Sequence, residues 1–460
     1  MPLPLLLSAL GLLVGRDALA SAAGAVHPLP RWRPTWQLNR STMLQPCNYS
    51  GFFDPEFSAR FGVVSYDWSN AKQQWANQHP MDCEERLLEQ ARRTKEANAA
   101  TKVWVYRNLV KALPWFSSVR RKLEDPAFSG FFLKFDPSRR PWHVPACDRN
   151  YDPPRCSDYY HDQNATTPEM RGGAGIDPWQ SCTSPCDCGR LPCGEYVWDH
   201  RNGSMLRNFL IDEYVLGATG LGSSLVDGFF FDDEWQSQPT PSSPEAPPAT
   251  KECQMYKTGG PTELEFHCVE DMGLEPADVR ALAGQWQLTI DQLSQRLLER
   301  GGYSWQMMAS SKEFGRNRTG LSGARSSCTP FLRQACAPDA PIRRAPLFYE
   351  WTGTTSHHQK PAFPLRAADQ DIAMFLLVRG EWAWLGVQWL GCTHGTEPAS
   401  PAPPDDGEFA LPAELDLDVG EPLGVCTEVR EGVFEREWSK YRVRMDCNAW
   451  RGELVPSRTE

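Results

Sequence analysis

The stretch Val226-Asp227-Gly228-Phe229-Phe230-Phe231-Asp232-Asp233-Glu234-Trp235 sets three aromatic residues between a glycine and three consecutive carboxylates. An apolar run this short, followed by polar residues, reads as a strand buried on both faces. The carboxylates mark its C-terminal end. Adjacent carboxylates repel one another and lose hydration where a fold closes over them, so placing them there costs stability. Side chains alternate along a strand, which predicts Asp232 and Glu234 on one face and Asp227 and Asp233 on the other. The plainer alternative is that the triplet caps the next helix and stays solvated.

Similar runs recur on both sides of this strand, separated by helical patterns. Phe61 to Asp67, Thr101 to Arg107, Gly130 to Phe135, Tyr303 to Ala309, Pro346 to Glu350 and Ala383 to Trp389 read as further strands. Helical patterns cover Cys83 to Ala100, with Leu87, Leu88 and Ala91 on one face, then Trp115 to Leu123, Pro276 to Arg300 and Arg366 to Val378. Tyr196 to Trp198, ahead of a helix from Met205 to Leu216, is the candidate eighth strand. Strands alternating with helices imply a parallel sheet, and eight such units predict an α/β fold of the (β/α)8 TIM-barrel type. The rival is an open doubly wound sheet, but no G-x-G-x-x-G follows the first strand. The expected organisation is a signal peptide at 1–20, an N-terminal extension at 21–46, the barrel at 47–422 and a C-terminal hairpin at 423–460. The hairpin is read from Val433 to Trp438 and Tyr441 to Asp446. Insertions at 136–195 (Cys-rich), 236–251 (Pro/Ser-rich) and 393–421 (Pro-rich, acidic) all begin where a strand ends. In a barrel those ends form the face that builds sites.

Leu3 to Val14 is an apolar run of signal-peptide length, and Ala18-Leu19-Ala20 is an A-x-A cleavage pattern, although no Lys or Arg precedes the run. Fifteen cysteines fit an oxidising compartment, and the odd number leaves one thiol unpaired or bridging two chains. Glycosylation sequons stand at Asn39, Asn48, Asn164, Asn202 and Asn317. The expected location is therefore the secretory lumen or the exterior. A net charge of −11 without a Lys/Arg cluster argues against nucleic acid as a partner. No stretch has the length of a membrane span, so no integral membrane contact is expected.

Paired carboxylates are what glycoside hydrolysis requires: one protonates the leaving oxygen, and the other stabilises the developing cation, attacks the sugar or activates water. The strand-end motif D-G-x-x-x-D-[DE] resembles secreted glycoside-hydrolase-like barrels and, more distantly, chitinase-like hydrolases with D-G-x-D-x-D-x-E. Asp227, Gly228, Asp232 and Glu234 match that pattern, whereas Phe230 replaces its middle Asp. The resemblance implies Glu234 as proton donor and Asp232 as its electrostatic partner. Tyr196-Val-Trp-Asp199-His-Arg-Asn202-Gly-Ser-Met-Leu-Arg207 is similar to a segment of such barrels where a strand ends in Asp or Asn and an Arg-bearing helix follows. Gly432-Val-Phe-Glu-Arg436-Glu-Trp438 and Val443-Arg-Met-Asp446 resemble their terminal hairpin.

Other strand ends complete the list of candidates. Glu350 is the alternative second catalytic carboxylate. Tyr66, Asp67, Arg107, Asn108, Asp199, Asp233, Trp235 and Trp389 are candidates for orienting sugar hydroxyls or stacking on a ring, with a structural polar rim as the alternative for each. Cys182, Cys186, Cys188 and Cys193 lack the C-x2-C spacing usual for zinc, so disulfides are expected. Cys426 and Cys447 are candidates to clamp the terminal hairpin. No G-x-S-x-G, H-E-x-x-H or P-loop occurs, His357-His358 reads as a solvated pair, and no cofactor is implied. The expected function is hydrolysis of a glycosidic bond in an oligo- or polysaccharide. The alternatives are a non-catalytic carbohydrate-binding protein on the same barrel, favoured by Phe230, and a matrix protein cross-linked through the odd cysteine.

Overall fold

A computed structural model describes residues 36–134, 146–148, 152–159, 187–235, 256–257, 274–306, 324–340, 347–350, 368–389 and 413–457. Within these, side chains are described except at 146–148, 234, 256–257, 276, 305–306, 324–327, 347–350, 368 and 386–389.

The centre is a seven-stranded sheet in which every pairing is parallel. Its strands are β1 (Thr42–Gln45), β2 (Val63–Tyr66), β3 (Lys102–Asn108), β4 (Gly228–Asp232), β5 (Tyr303–Gln306), β6 (Leu347–Glu350) and β7 (Ala383–Trp389). Across the sheet the order is β5-β4-β3-β2-β1-β7-β6. Sequence neighbours are therefore spatial neighbours all the way round, and β7 returns to β1. That is the order of a singly wound barrel, not of a doubly wound sheet with a switch point. The two edge strands, β5 and β6, are consecutive in the chain, so the seam falls between them.

Two expected strands do not belong to this sheet. Of Gly130 to Phe135, the first two residues instead end a 3-10 turn, Pro126–Phe131, that Asp125 caps through Ala127 N, and Phe135 lies outside the described residues. Isolated bridges then join Phe132 to Trp198 and Lys134 to Tyr159. Tyr196–Val197 pairs antiparallel with Lys111–Ala112 in a separate two-stranded ribbon. Both segments bury aromatic rings without joining the main ladder: Phe132 stacks on Trp198 at 5.1 Å. Conversely Thr42–Gln45, inside the segment read as an extension, pairs with both β2 and β7.

The inner face of the sheet is identified by contacts between non-adjacent strands. Met43, Val63, Trp104, Tyr303 and Trp384 form one buried cluster. Only side chains pointing into a curled sheet can meet from five strands. Gly228 lies level with Trp104 and Tyr303 in the register. A Cβ there would stand 2.4 Å from Tyr303 O and 2.6 Å from Trp104 Nε1. The glycine of the D-G motif thus makes room for the indole that fills the barrel floor. Alternation from this layer puts Gln45, Ser65, Tyr106 and Phe230 above it, and Asp67, Asn108 and Asp232 at the C-terminal rim.

Helices cover the outer face. In α1 (Cys83–Ala97) Leu87, Gln90, Ala91 and Thr94 are buried at helical spacing. α2 (Ser117–Leu123) follows the Lys111–Ala112 ribbon. α3 (Pro276–Glu299) starts with a capping box between Glu275 and Asp278 and buries Val279, Leu282, Trp286, Leu293 and Leu297. α4 (Ala324–Ala335) and α5 (Ala368–Val378) precede β6 and β7 or the sheet beyond.

The expected terminal hairpin is part of a four-stranded antiparallel sheet of β8 (Thr427–Arg430), β9 (Val433–Glu437), β10 (Tyr441–Asp446) and β11 (Arg451–Pro456). Cys426 and Cys447 do not clamp it to itself. They pair with Cys336 and Cys328, bolting both ends of the sheet to α4 and the residue after it. Cys188 and Cys193 form a disulfide, as expected for that cluster, while Cys182 and Cys186 lie outside the described residues. Cys83 is a free, buried thiol. Among the described residues no helix is long and apolar enough to cross a membrane. The insertion at 236–251 and His357-His358 also lie outside them.

Candidate active site

Asp232 closes β4 on the inner face, half-buried. Its Oδ2 accepts from the Tyr106 hydroxyl at 3.0 Å, and its Oδ1 accepts from Asp233 N at 2.9 Å. Burial, then the negative charges of Asp233 and Asp67, push its pKa up to about 8, and the Lys111 cation opposes this. The direction favours the protonated form relative to a solvated aspartate. Tyr106, buried beside the same carboxylates, has its pKa raised well above the usual phenol and remains a donor.

Asp67 follows β2 directly, beside the row of Tyr106 and Phe230 in the register, and is buried. It accepts from Ser69 N at 2.8 Å and Ser69 Oγ at 2.5 Å, and burial raises its pKa. Below the carboxylates, Gln45 Nε2 and Ser65 Oγ are buried with no hydrogen-bond partner. Buried polar atoms usually have one, so these two are exceptions on the inner face of the sheet. Trp68, half-buried, sets its ring 6.4 Å from Tyr106.

Asp233 does not continue the strand. Its φ of 59° lies in the left-handed region, which Asp tolerates better than most residues. The turn ends the alternation, so Glu234 does not inherit Asp232's face by parity. Glu234–Trp235 pairs antiparallel with Tyr256–Lys257 in another ribbon. The Asp233 carboxylate accepts from Asn108 Nδ2 at 2.7 Å and faces Lys111 Nζ at 3.8 Å. Lys111 also meets Glu195 Oε2 at 2.5 Å, with all three groups buried.

Several expected site residues point elsewhere. Arg107, one residue from Asn108, turns to the outer face and is fully buried against Glu84 at 3.0 Å. Tyr66, one residue before Asp67, likewise turns outward to Ser58 Oγ at 2.8 Å and Thr94 Oγ1 at 2.7 Å. Neither can reach a sugar at the rim. Asn108 is at the rim, but its amide is spent internally: Nδ2 donates to Tyr106 OH and Asp233, and Oδ1 accepts from Val110 N and Lys111 N. It positions its neighbours. Asp199 caps a 3-10 turn through Arg201 N and pairs with the Arg201 guanidinium. Trp235 is 3% exposed and packs in the core, with no face free for a ring. Asp227 sits at the opposite end of β4, held by Lys95 at 2.5 Å and Lys102 at 3.0 Å. Glu350 and Trp389 end β6 and β7, in register with Gly386 and Gln45; their side chains, like that of Glu234, lie outside the described set.

No protein-family model and no curated protein matches the chain. Solved structures that it resembles include a debranching enzyme from Nostoc punctiforme soaked with acarbose, at 9% identity over 90% of each chain and a TM-score of 0.42. A sucrose 6F-phosphate phosphorylase from Thermoanaerobacter thermosaccharolyticum matches at 9% identity over 92% of this chain and 98% of that one, with a TM-score of 0.45. An alpha-amylase from Geobacillus thermoleovorans complexed with acarbose matches at 9% identity over 89% and 86%, with a TM-score of 0.40.

Proposed function

We propose that this chain is a secreted glycoside hydrolase on a (β/α)8 barrel, with Asp232 as the proton donor. The supporting observation is a half-buried carboxyl at the rim of the sheet whose pKa burial and two neighbouring carboxylates push up to about 8, against the hydrogen bond it accepts from Tyr106. A general acid working near neutral pH needs a pKa in this region. Asp232 gives its proton to the glycosidic oxygen as the bond from that oxygen to the anomeric carbon breaks. Water adds to the carbon, and its proton restores the carboxyl. The second carboxylate is drawn from Glu350, Glu234 and Asp67. Assigning the proton to Asp232 reverses the roles that the motif resemblance implied for Asp232 and Glu234.

The test is turnover of an oligosaccharide panel by Asp232→Asn, Glu234→Gln and Glu350→Gln. Asp232→Asn abolishes cleavage while the Tm stays near that of the wild type; full activity in Asp232→Asn ends the assignment. A second reading, non-catalytic sugar binding, is favoured by the internal hydrogen bonds that occupy Asn108 and Asp233. Glycan binding that survives loss of Asp232, with no cleavage by the wild type, would select it. Disulfides support the secreted location, since such bonds rarely persist in a reducing cytosol. Mass mapping of Asn39, Asn48 and Asn202 from a secreting host tests it, with glycan-bearing peptides expected.

A further inference from the structure

We propose that Asp233, fixed by Asn108 and opposed by Lys111, is a positioning residue whose negative charge keeps the proton on Asp232. The inference rests on the role given to Asp232 above, but its test does not require turnover. Asp233 follows Asp232 directly, and its backbone N–H is bonded to the Asp232 carboxyl at 2.9 Å. The left-handed turn at Asp233, with φ of 59°, swings its side chain out of strand alternation, onto Asn108 Nδ2 at 2.7 Å. Without that turn, successive side chains would point to opposite faces. Asn108 Nδ2 instead joins Asp233 to Tyr106 OH, which is bonded to Asp232, so two carboxyls on consecutive residues share one hydrogen-bonded cluster, and neighbouring carboxyls favour a proton on one of them.

The counter-charge is arranged so that it does not cancel this effect. Lys111 Nζ lies 2.5 Å from Glu195 and 3.8 Å from Asp233. Glu195 is therefore the closer partner of the cation and the Asp233 carboxylate the farther one. The groups around Asp232 among the described residues are Asp233 on its own segment, Tyr106 on β3, Asp67 after β2, and Lys111 beyond β3. Of the two acidic neighbours, Asp233 acts more strongly than Asp67. Asp67 is in addition bonded to Ser69.

Asp233→Asn is the discriminating variant. Asn tolerates the left-handed conformation, and its amide oxygen can still accept from Asn108, so the turn survives and only the charge is lost. The Asp232 carboxyl is followed by difference infrared spectroscopy of 13C-aspartate protein against pH, with Asp232→Asn subtracted to assign the band. Asp233→Asn moves the Asp232 midpoint down by about one pH unit or more, as expected on removing an adjacent like charge. Lys111→Met, the second variant, moves it up. A midpoint unchanged in folded Asp233→Asn, or one that shifts in the same direction in both variants, overturns the inference. A purely structural turn residue predicts no shift in Asp233→Asn. If the shifts occur and the wild type cleaves no glycoside, the proton-holding role stands and the hydrolase reading falls.

Discussion

Replacing Arg107 with Met separates a structural role from a sugar-binding one. The guanidinium and the Glu84 carboxylate are both fully buried. Arg107 donates from Nη2 to Glu84 Oε1 at 3.0 Å and Thr219 O at 2.7 Å, from Nη1 to Tyr106 O at 2.9 Å, and from Nε to Tyr214 O at 3.1 Å. Glu84 in turn accepts from Ser117 Oγ, Ser118 N, Ser118 Oγ and Thr219 Oγ1. The substitution keeps apolar volume but leaves a carboxylate without its cation and strips side-chain donors from backbone carbonyls. Breaking one side of such a buried pair costs about 3–5 kcal/mol. That is a large share of the 5–15 kcal/mol or so that a domain of ordinary stability holds. Urea denaturation of Arg107→Met therefore shows a large fall in midpoint. Arg92→Ala, which breaks the exposed pair Arg92–Glu89, by contrast leaves the midpoint near that of the wild type. A double replacement of Arg107 and Glu84 by apolar residues costs less than the sum of the two single ones, because it removes the orphaned charge. An Arg107→Met protein with the wild-type midpoint and only weakened sugar affinity would refute this account and return Arg107 to the rim.

Gly228→Ala drives a methyl into Tyr303 O and the Trp104 indole and destabilises by about 1–3 kcal/mol, seen as a lower Tm with the Trp fluorescence shifted. Removing the Cys328–Cys447 disulfide, which spans 119 residues, costs about 2–4 kcal/mol in denaturant titrations. The pH dependence of stability has two opposed parts. His200, buried against Leu109 O with its pKa lowered by burial to about 4, binds fewer protons folded than unfolded, so stability falls as pH drops from about 6.5 toward 4. Asp232 binds more protons folded, so its contribution is lost as pH rises from about 4 toward 8, with Asp67 acting in the same sense. Asp232→Asn accordingly removes this fall in stability between about pH 4 and pH 8, and an unchanged slope there contradicts the assignment.

The curled parallel sheet was legible because β2, β3 and β4 are apolar runs closed by polar residues, with helical spacing between them. Two runs misled for a physical reason. Phe131 and Phe132 are buried, but by aromatic packing around a capped 3-10 turn, and an apolar run records burial without recording which ladder buries it. Thr42–Gln45 was missed because four residues between polar neighbours carry almost no periodicity. At the site, alternation held a signal that the strand-end reading did not use. Tyr66 with Asp67, and Arg107 with Asn108, are adjacent on a strand and cannot share a face. Anchoring the inner face on Asp67 and Asp232 sends Tyr66 and Arg107 outward and brings Tyr106 inward, as the structure has it. The left-handed turn at Asp233 was not legible, since Asp is common in strands' ends and turns alike. Lys111 and Glu195 meet through the ribbon between Lys111–Ala112 and Tyr196–Val197, a long-range pairing that no local pattern announces.

Tyr106 ties these layers together. Its ring packs on Phe230 at 5.6 Å within the barrel, while its hydroxyl lies between Asn108 Nδ2 and Asp232. Since Asn108 donates to that oxygen, the phenolic proton is directed at Asp232. A donor aimed at a carboxylate favours its charged form, so Tyr106 partly offsets the effects of burial and Asp233. Tyr106→Phe keeps the packing, removes the donor and orphans one Asn108 N–H. The cost in stability is about 1–3 kcal/mol, because an unsatisfied buried donor is worth that much. The informative readout is the Asp232 titration, which moves upward in Tyr106→Phe and downward in Asp233→Asn. The two substitutions sit on opposite sides of one carboxyl, and a shared direction of shift would mean that its proton is governed by neither.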